Sequence, residues 1–314
     1  MGEWSYNLYT GCLIRSRFPH VEKSARVVFD RLGVEIREIA NVGCCPEPVG
    51  MRSLDEEVWL TVAARNMSVL SAANRPVMTL CNGCYSTFRE SEHLLSANKE
   101  YRETVNRHLA SIGREYAAGL EVDHFARFLY EKIGPARLKE LVVAPLRGLN
   151  VAFHAGCHLV RPFELLAFDD PENPTKIEEL LRALGAEVVD YPRKSLCCGF
   201  TIMGVDADLS LKMGFEKLKN IKASGAQAVV VVCPACLQQF DVNQRQMERK
   251  FGAKLGLPVF YLTELIALAL GESPESLGLD LHRTEALSLV QALGLTRAAP
   301  SAGASRVTVG LTRE

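Results

Sequence analysis

The spacing of the cysteines constrains this chain more than any other feature of its sequence. The chain has ten cysteines in 314 residues, and they form two sets of five that follow one order. Each set has a single cysteine, an adjacent pair and a Cys-x-x-Cys motif. A spacing repeated in this way predicts a duplicated domain. The first quintet is Cys12, Cys44, Cys45, Cys81 and Cys84, and the second quintet is Cys157, Cys197, Cys198, Cys233 and Cys236.

Residues outside the cysteines repeat as well. The segment LGVE at 32–35 matches LGAE at 184–187, and the same number of residues separates the two Cys-x-x-Cys motifs. We therefore predict an N-terminal domain over 1–145 and a C-terminal domain over 146–297. The remaining residues, 298–314, begin with a stretch rich in Ala, Pro, Ser and Gly, which predicts a mobile tail.

The apolar pattern predicts the fold class. In each half one strand leads to the single cysteine, a second to the adjacent pair and a third to the Cys-x-x-Cys motif, with helices between them. This alternation predicts an α/β fold with two pseudo-symmetric halves, each a small parallel sheet flanked by helices. The strand ends would bring the sulfurs to one sheet edge. Strands are predicted at 4–9, 34–39, 77–80, 150–154, 187–191 and 229–232. After the Cys-x-x-Cys motifs, helices are predicted at 85–112, 122–133, 237–251 and 263–270. The segment 134–148 is predicted to link the two halves.

Composition excludes several classes of function. A formal net charge of -1 gives no general attraction to nucleic acid or anionic lipid. The apolar segment 259–270 is shorter than a membrane-spanning helix, and no secretory signal is visible, so we expect a cytoplasmic protein. Because the cytosol keeps thiols reduced, these cysteines are expected to be metal ligands or redox groups rather than disulfides.

The number of cysteines in each set narrows the chemistry. A Cys-x-x-Cys motif by itself fits a zinc half-site, a redox dithiol or a pair of iron–sulfur ligands. Zinc and a cubane cluster each take four ligands, which would leave one cysteine over in both halves. Adjacent cysteines can ligate different irons of one cluster or bridge two irons. Five thiolates therefore suit an unusual polynuclear cluster.

With these motifs the chain resembles the B-type subunit of heterodisulfide reductase and its bacterial relatives, which carry the cysteine-rich CCG domain twice. The second adjacent pair continues into Gly199, whereas the first continues into Pro46, which fixes φ and lacks an N–H. The resemblance implies two non-cubane 4Fe-4S clusters, one held by each quintet. It also implies the catalytic subunit of a heterodisulfide reductase-like complex, an oxidoreductase acting on a sulfur group that reduces a disulfide to two thiols or runs in reverse.

Electrons for this reaction must come from another protein, because the chain has no nucleotide or flavin motif and no ferredoxin-type cysteine run. The resemblance implies two partners, which are a flavin-bearing A-type subunit together with a ferredoxin-like C-type subunit. Cleaving a disulfide takes two electrons, and two clusters can supply one each. Two alternatives remain open. One is an electron-relay subunit of a succinate/fumarate, lactate or glycolate oxidoreductase, and the other is a zinc-bound interaction scaffold.

Other residues near the quintets are further candidates. His154 and His158 bracket Cys157 and could relay protons to a leaving thiolate. Glycines next to the cysteines would let backbone N–H groups approach the sulfurs; they are Gly11, Gly43, Gly83, Gly156 and Gly199. Basic residues close to the cysteines in sequence could bind anionic groups of the substrate; they are Arg15, Arg17, Arg161, Arg193 and Lys194.

Overall fold

The computed structural model describes residues 4–295, so the tail predicted over 298–314 lies outside the described residues. Within this range eight strands form two four-stranded sheets, and each sheet takes its strands from one half of the sequence. The strands are β1 Trp4–Tyr9, β2 Val34–Glu38, β3 Val77–Thr79 and β4 Val122–His124 in the first half, and β5 Asn150–His154, β6 Glu187–Val188, β7 Ala228–Val231 and β8 Val259–Tyr261 in the second.

Helices follow the strands in both halves. The first half has α1 Gly11–Arg17, α2 Pro19–Arg31, α3 Gly50–Leu54, α4 Glu56–Ser71, α5 Asn82–Ala97, α6 Lys99–Ala110, α7 Phe125–Phe128 and α8 Gly134–Leu141. The second has α9 Phe163–Leu166, α10 Lys176–Ala183, α11 Ala207–Ala223, α12 Pro234–Leu237, α13 Gln244–Phe251, α14 Leu262–Ala269, α15 Pro274–Leu277 and α16 Ala286–Ala292. Single π-helical turns extend α7 and α12, at Leu129–Ile133 and Gln238–Val242.

Both sheets are parallel and share one strand order, β2-β1-β3-β4 and β6-β5-β7-β8. In the first sheet β1 lies between β2 and β3, with Trp4 opposite Val34 and Asn7 opposite Val77. In the second sheet β7 is buried along its whole length, as expected for a parallel strand covered by helices on both faces. These observations confirm the predicted α/β class and the two similar halves.

The strand order places the cysteines at matching positions. The central strands of each sheet are neighbours, and their carboxyl ends lie at the same edge. In the first half β1 leads directly to Cys12 and β3 leads to Cys81. In the second half β5 leads to Cys157 and β7 leads to Cys233. The edge where ligands bind in open α/β sheets is therefore the edge that carries the sulfurs.

The fourth strand of each sheet was not predicted. The helix predicted over 122–133 is wrong at its start, where Val122–His124 forms β4 and Val122 pairs with Val77. A strand of three residues is too short for a visible alternation, and the pairing with β3 supplies its stability. The helix predicted over 85–112 is divided at Asn98, which caps α6 by accepting from the Tyr101 N–H at 3.2 Å.

Two further boundaries differ from the prediction. The segment 134–148, predicted as a link, contains α8 with Leu138 fully buried. The strand predicted over 187–191 is restricted to Glu187–Val188. Both differences concern short segments whose structure depends on packing against the rest of the chain rather than on local pattern.

Helices from opposite halves pack against each other. On α2 the hydroxyl group of Ser24 lies 2.7 Å from that of Thr263 on α14, in a fully buried contact. At the end of α2 the Arg31 guanidinium binds Glu272 at 2.6 Å. Because a buried hydroxyl needs a partner, the Ser24–Thr263 pair helps to fix how the two helices meet.

The burial of α14 between the two halves explains its apolar sequence. Every residue of Leu262–Ala269 is buried. Within residues 4–295, no helix is both long enough and apolar enough to cross a membrane.

Candidate metal centres

The first quintet converges from three segments of the first half. Cys12 lies on α1, Cys44 and Cys45 lie in the loop after β2, and Cys81 and Cys84 lie at the start of α5. The Sγ atoms of Cys12 and Cys44 are 3.8 Å apart. Cys45 contacts Cys44 and Cys84, and Cys84 contacts Cys81. The five thiols therefore form one continuous cluster.

The second quintet repeats this arrangement. Cys157 follows β5, Cys197 and Cys198 follow β6, and Cys233 and Cys236 lie at the start of α12. The Sγ atoms of Cys198 and Cys236 are 3.6 Å apart. Cys197 contacts Cys157 and Cys198, and Cys233 contacts Cys236. The duplicated spacing thus folds into two similar clusters of five thiols.

The two quintets meet at their Cys-x-x-Cys motifs. The thiols of Cys81 and Cys233 adjoin each other across the boundary between the halves, close enough for each to shift the pKa of the other. Next to them, the side-chain amide of Asn82 donates to the carbonyl of Ala155 at 2.7 Å. This bond ties the first Cys-x-x-Cys motif to the loop that carries Cys157. The ten sulfurs therefore form one connected group.

The last residues of β4 and β8 reach across the same boundary. The Tyr261 hydroxyl donates to the carbonyl of Leu80. The ring of His124 lies beside Val232, although its Nε2 has no hydrogen-bond partner within residues 4–295. Leu80 and Val232 occupy equivalent places, immediately before each Cys-x-x-Cys motif. Burial lowers the pKa of His124 to about 3, so its ring is neutral at neutral pH. Each half therefore contacts the backbone that positions the cysteines of the other half.

Two glycines allow backbone and sulfur to approach closely. Gly11 and Gly156 have φ of +71° and +73°. A Cβ on Gly11 would lie 2.9 Å from the Cys84 sulfur, and one on Gly156 would lie 2.6 Å from the Asn82 amide. Neither position can hold another residue without rearrangement. The predicted approach of a backbone N–H to sulfur is observed at Gly199, which donates to the Cys197 sulfur at 3.3 Å.

Neutral side chains hold the loop of the first adjacent pair. The Gly43 N–H donates to the Asn66 side chain at 2.8 Å, and the Asn66 amide donates to the Cys44 carbonyl at 2.7 Å. The Tyr9 hydroxyl donates to the Gly43 carbonyl at 2.6 Å. Cys12 and Cys44 are exposed. One side of the first quintet is thus open, while its backbone is firmly held.

A buried cation lies beside the second quintet. The Lys217 ammonium group donates to the carbonyls of Arg193 and Lys194 at 2.9 and 3.1 Å. Burial lowers the pKa of Lys217 to about 8, and the neighbouring cysteines oppose this decrease. Lys217 is therefore still mainly charged at pH 7. A positive charge at this position would stabilise negative charge on a thiolate-bound cluster.

His154 lies within the second quintet. A ring nitrogen of His154 and the sulfurs of Cys198 and Cys236 lie within 4.8 Å of one another. Burial and the charge of Lys217 lower the pKa of His154 to about 3, so the ring is neutral at neutral pH. His158, the other predicted relay residue, is partly exposed. The two histidines thus lie on the inner and outer sides of Cys157.

Neighbouring thiols lower the pKa of Cys45 in the first quintet and of Cys197 and Cys233 in the second. Donation from Cys44 and Cys84 lowers the pKa of Cys45 to about 5. Donation from Cys157 and Cys198 lowers the pKa of Cys197 to about 2. The thiolate is the form that binds metal ions.

The donor set fits iron–sulfur chemistry better than the alternatives. Every cysteine lies within the described residues and is a free thiol. The measured sulfur separations of 3.6 and 3.8 Å greatly exceed a disulfide bond of about 2.05 Å. Five converging thiols also exceed the four ligands of a structural zinc site. The arrangement fits a polynuclear cluster in each half.

The predicted basic residues mostly bind other protein groups. Arg161 donates to the Ser195 and Pro171 carbonyls and to Glu172, at 3.1, 2.6 and 2.6 Å. Lys194 binds Glu178 at 3.1 Å. Arg15 donates to Thr10 at 2.9 Å, Arg17 donates to Gln238 at 3.2 Å, and the carbonyl of Arg193 accepts from Lys217. The role in binding an anionic substrate stays a prediction.

Comparison with known proteins places this site in a family. The profile of the cysteine-rich domain CCG matches residues 6–89 and 151–241. The B-type subunit of the ferredoxin:CoB-CoM heterodisulfide reductase of Methanosarcina mazei is 37% identical over 87% of this chain and 92% of its own length. The 8-methylmenaquinol:fumarate reductase membrane anchor subunit of Wolinella succinogenes is 30% identical over 90% of this chain and 98% of its own length.

The chain is therefore a protein with two cysteine-rich CCG domains. Within that class it belongs to the family of heterodisulfide reductase B-type subunits, and it is an iron–sulfur subunit of a reductase complex. A crystal structure of a hypothetical protein from Helicobacter pylori has the same fold, with a TM-score of 0.72 at 13% identity over 90% of this chain and 52% of that one.

Several residues of the site were missed by sequence reasoning. The sequence contains a signal for Lys217, because this lysine lies among the apolar residues Phe215, Leu218 and Ile221 of one helix and is therefore expected to be buried. The sequence also contains a signal for Tyr9, since the repeat aligns Tyr9 with His154. Tyr261 and His124 lie on the two unpredicted strands, so no pattern assigned them to the site.

Proposed function

We propose that this chain is the catalytic iron–sulfur subunit of a heterodisulfide reductase-like complex in the cytoplasm. The first quintet holds one non-cubane 4Fe-4S cluster, and the second quintet holds the other. The observation that carries this proposal is the convergence of two quintets that adjoin through Cys81 and Cys233. A ferredoxin-like C-type subunit together with a flavin-bearing A-type subunit supplies the electrons, since the chain carries no motif for either cofactor.

The reaction consumes two electrons and two protons per disulfide and releases two thiols. When bound, the clusters would supply one electron each to the disulfide. The chain itself keeps the two quintets adjacent, through the Asn82–Ala155 and Tyr261–Leu80 hydrogen bonds. Oxidation of two thiols uses the same arrangement in the opposite direction.

Proton transfer is assigned to His154 and His158. His154 lies beside Cys198 and Cys236, and His158 is partly exposed one residue after Cys157. In this proposal His158 receives protons from solvent, and His154 delivers them to the interior of the second quintet. Thiolate charge on Cys197 and Cys233 raises the pKa of His154 and opposes the effect of burial. Negative charge on a leaving thiolate would also raise the pKa of His154.

Access to the first quintet supports a partner or a substrate on that side. Cys12 and Cys44 are exposed, whereas the cysteines of the second quintet are buried or half-buried. We assign the open side to the approach of the ferredoxin-like partner, so that electrons enter at the first cluster. The disulfide then meets the protein where the quintets adjoin.

A second candidate function follows from the fumarate reductase subunit of Wolinella succinogenes. That relative covers nearly the same length as the heterodisulfide reductase subunits. In this role the two clusters would pass electrons between partner proteins and would not bind a thiol. The same ten ligands serve both roles, so the response to thiols has to decide between them.

Electron paramagnetic resonance (EPR) of the reconstituted protein tests the proposal. The protein is oxidised with and without candidate thiols, including coenzymes M and B, and the Cys198→Ala variant serves as a control. Catalysis predicts a new paramagnetic species that appears only with the correct thiol and is lost in the variant. A spectrum that no thiol changes, from protein with both clusters loaded, would favour electron relay.

A further inference from the structure

A group of potential metal ligands lies outside the two quintets, between α2 and α14. It consists of His20 on α2, Glu264 on α14 and His282 after the turn Leu279–Leu281. All three side chains are buried, with 2%, 0% and 7% of their surface exposed. One ligand atom from each lies within 4.8 Å of the others. The group therefore joins residues from both halves of the chain around one buried point.

The separations match those expected around a small tetrahedral metal ion. The Glu264 carboxylate lies 3.1 Å from Nε2 of His282 and 3.8 Å from Nε2 of His20. Two tetrahedral ligands at zinc distances of about 2.0–2.1 Å are about 3.3 Å apart. The observed values lie on either side of this figure, so small side-chain movements would bring the three donors to zinc distances and leave the fourth position for a water molecule.

His20 provides independent support for a ligand at this point. Within residues 4–295, neither ring nitrogen of His20 has a hydrogen-bond partner, although the ring is almost completely buried. Burying an imidazole without a partner costs free energy, and proteins normally avoid it. A metal ion at the Glu264 carboxylate would give the Nε2 lone pair of His20 a partner.

Asp241 provides the outer support that metal-binding histidines usually have. Its carboxylate lies 3.6 Å from Nδ1 of His282, on the side of the ring away from Glu264. Asp241 is fixed by the N–H groups of Arg283 and Thr284 and by the Thr284 hydroxyl, at 2.6–3.1 Å. A carboxylate behind a ligating histidine orients the ring and strengthens its binding.

We propose that His20, Glu264 and His282 bind one zinc ion, with Asp241 orienting His282. Two imidazoles and one carboxylate form a donor set used for zinc, whereas magnesium and calcium prefer oxygen ligands alone. The ion would connect α2 of the first half to α14 of the second, next to the buried Ser24–Thr263 contact. It would therefore help to fix the packing of the two halves.

The experiment uses the full chain, reconstituted anaerobically with iron and sulfide and then incubated with one equivalent of zinc. After unbound metal is removed, elemental analysis should find about one zinc per chain, and X-ray absorption should find nitrogen and oxygen ligands at about 2.0–2.1 Å. His20→Leu should lose this zinc and keep its iron, whereas His93→Leu, which changes an exposed histidine, should keep both. Sulfur ligands at about 2.3 Å, or zinc unaffected by His20→Leu, would overturn the proposal.

Thermal unfolding provides a second readout that does not depend on catalysis. Zinc should raise the unfolding temperature of the unmodified chain and leave that of His20→Leu unchanged, because a ligand stabilises the state it binds. His20→Leu should fold, since it replaces an unpartnered buried ring with an apolar side chain. A proton shared by His282 with Glu264 and Asp241 is the competing arrangement, and absence of zinc from the unmodified chain would favour it. The EPR test with thiols is independent, so either proposal can fail without the other.

Discussion

The two quintets present the same thiols in different surroundings. In the first, Cys12 and Cys44 are exposed, and the loop of the adjacent pair is held by the neutral Asn66. In the second, Cys157 and Cys197 are only partly exposed. The duplication has kept the ligands and changed what surrounds them, so the two clusters are expected to differ in access and in reduction potential.

One pair of residues illustrates both the conservation of geometry between the halves and the change in environment. Asn41 and Arg193 occupy equivalent places before each adjacent pair, and both have left-handed φ, 62° and 61°. The carbonyl of Asn41 accepts from Arg65 at 2.5 Å, and that of Arg193 accepts from Lys217 at 2.9 Å. The cation is partly exposed in the first case and buried in the second. The backbone conformation is therefore similar at this residue, while the burial of the cation that binds it differs.

Removing one cysteine ligand should have the largest effect, because it should remove the iron of one half and leave that of the other. Cys198→Ala should lower iron and acid-labile sulfide by about half, because the first quintet keeps its full set of ligands. Cys45→Ala should remove the other half, and Ser195→Ala, next to the second adjacent pair, should remove none. Metal analysis of anaerobically reconstituted protein measures this. Equal losses from both halves in either cysteine variant would show that the two sites do not load independently.

Chelation should separate the halves by their exposure. A ferrous chelator should release iron in two phases, with the first quintet several-fold faster because Cys12 and Cys44 are exposed. Absorbance of the iron–chelator complex follows the release. Cys45→Ala should lack the fast phase, and Cys198→Ala should lack the slow one. A single phase in the unmodified chain would contradict the difference in access.

The residue after each adjacent pair provides a test of stability. Gly199 has a φ of +86°, and a Cβ there would lie 2.9 Å from both Cβ of Met213 and the Ser210 carbonyl. Gly199→Ala should therefore cost about 1–3 kcal/mol of folding free energy. Pro46→Ala at the equivalent place should change it by only about 1 kcal/mol or less. Thermal unfolding of both variants compares them, and similar shifts would contradict this account.

The buried charge of Lys217 should distinguish the potentials of the two clusters. At an effective dielectric constant of about 20, a unit charge contributes about 2 kcal/mol at a separation of about 8 Å, which we take to represent a buried charge that adjoins a cluster without ligating it. That energy corresponds to about 90 mV for one electron. Lys217→Met should lower the potential of the second cluster by roughly this amount, whereas Lys219→Met, on the exposed face of α11, should not. A redox titration followed by EPR measures both, and an unchanged potential in Lys217→Met would contradict the proposed effect.

Local sequence predicted much of this architecture. The repeat of the cysteines predicted the two halves, and the apolar pattern predicted the six strands β1, β2, β3, β5, β6 and β7. The strands β4 and β8 were not predicted, because each is short, depends on pairing with a neighbour and is not followed by a cysteine motif that would mark its end. The group formed by His20, Glu264 and His282 also escaped, since residues this far apart in sequence leave no spacing to recognise.

The contacts that the last residues of β4 and β8 make with the opposite half are relevant to the evolution of this duplicated protein. Tyr261 donates to the residue before the first Cys-x-x-Cys motif, and His124 lies beside the equivalent residue before the second. An exchange of this kind has the form of an isologous contact between identical subunits. In a dimer of one such domain, each copy would support the Cys-x-x-Cys segment of the other with the last residue of its fourth strand, while all five cysteines of a quintet would still come from one copy.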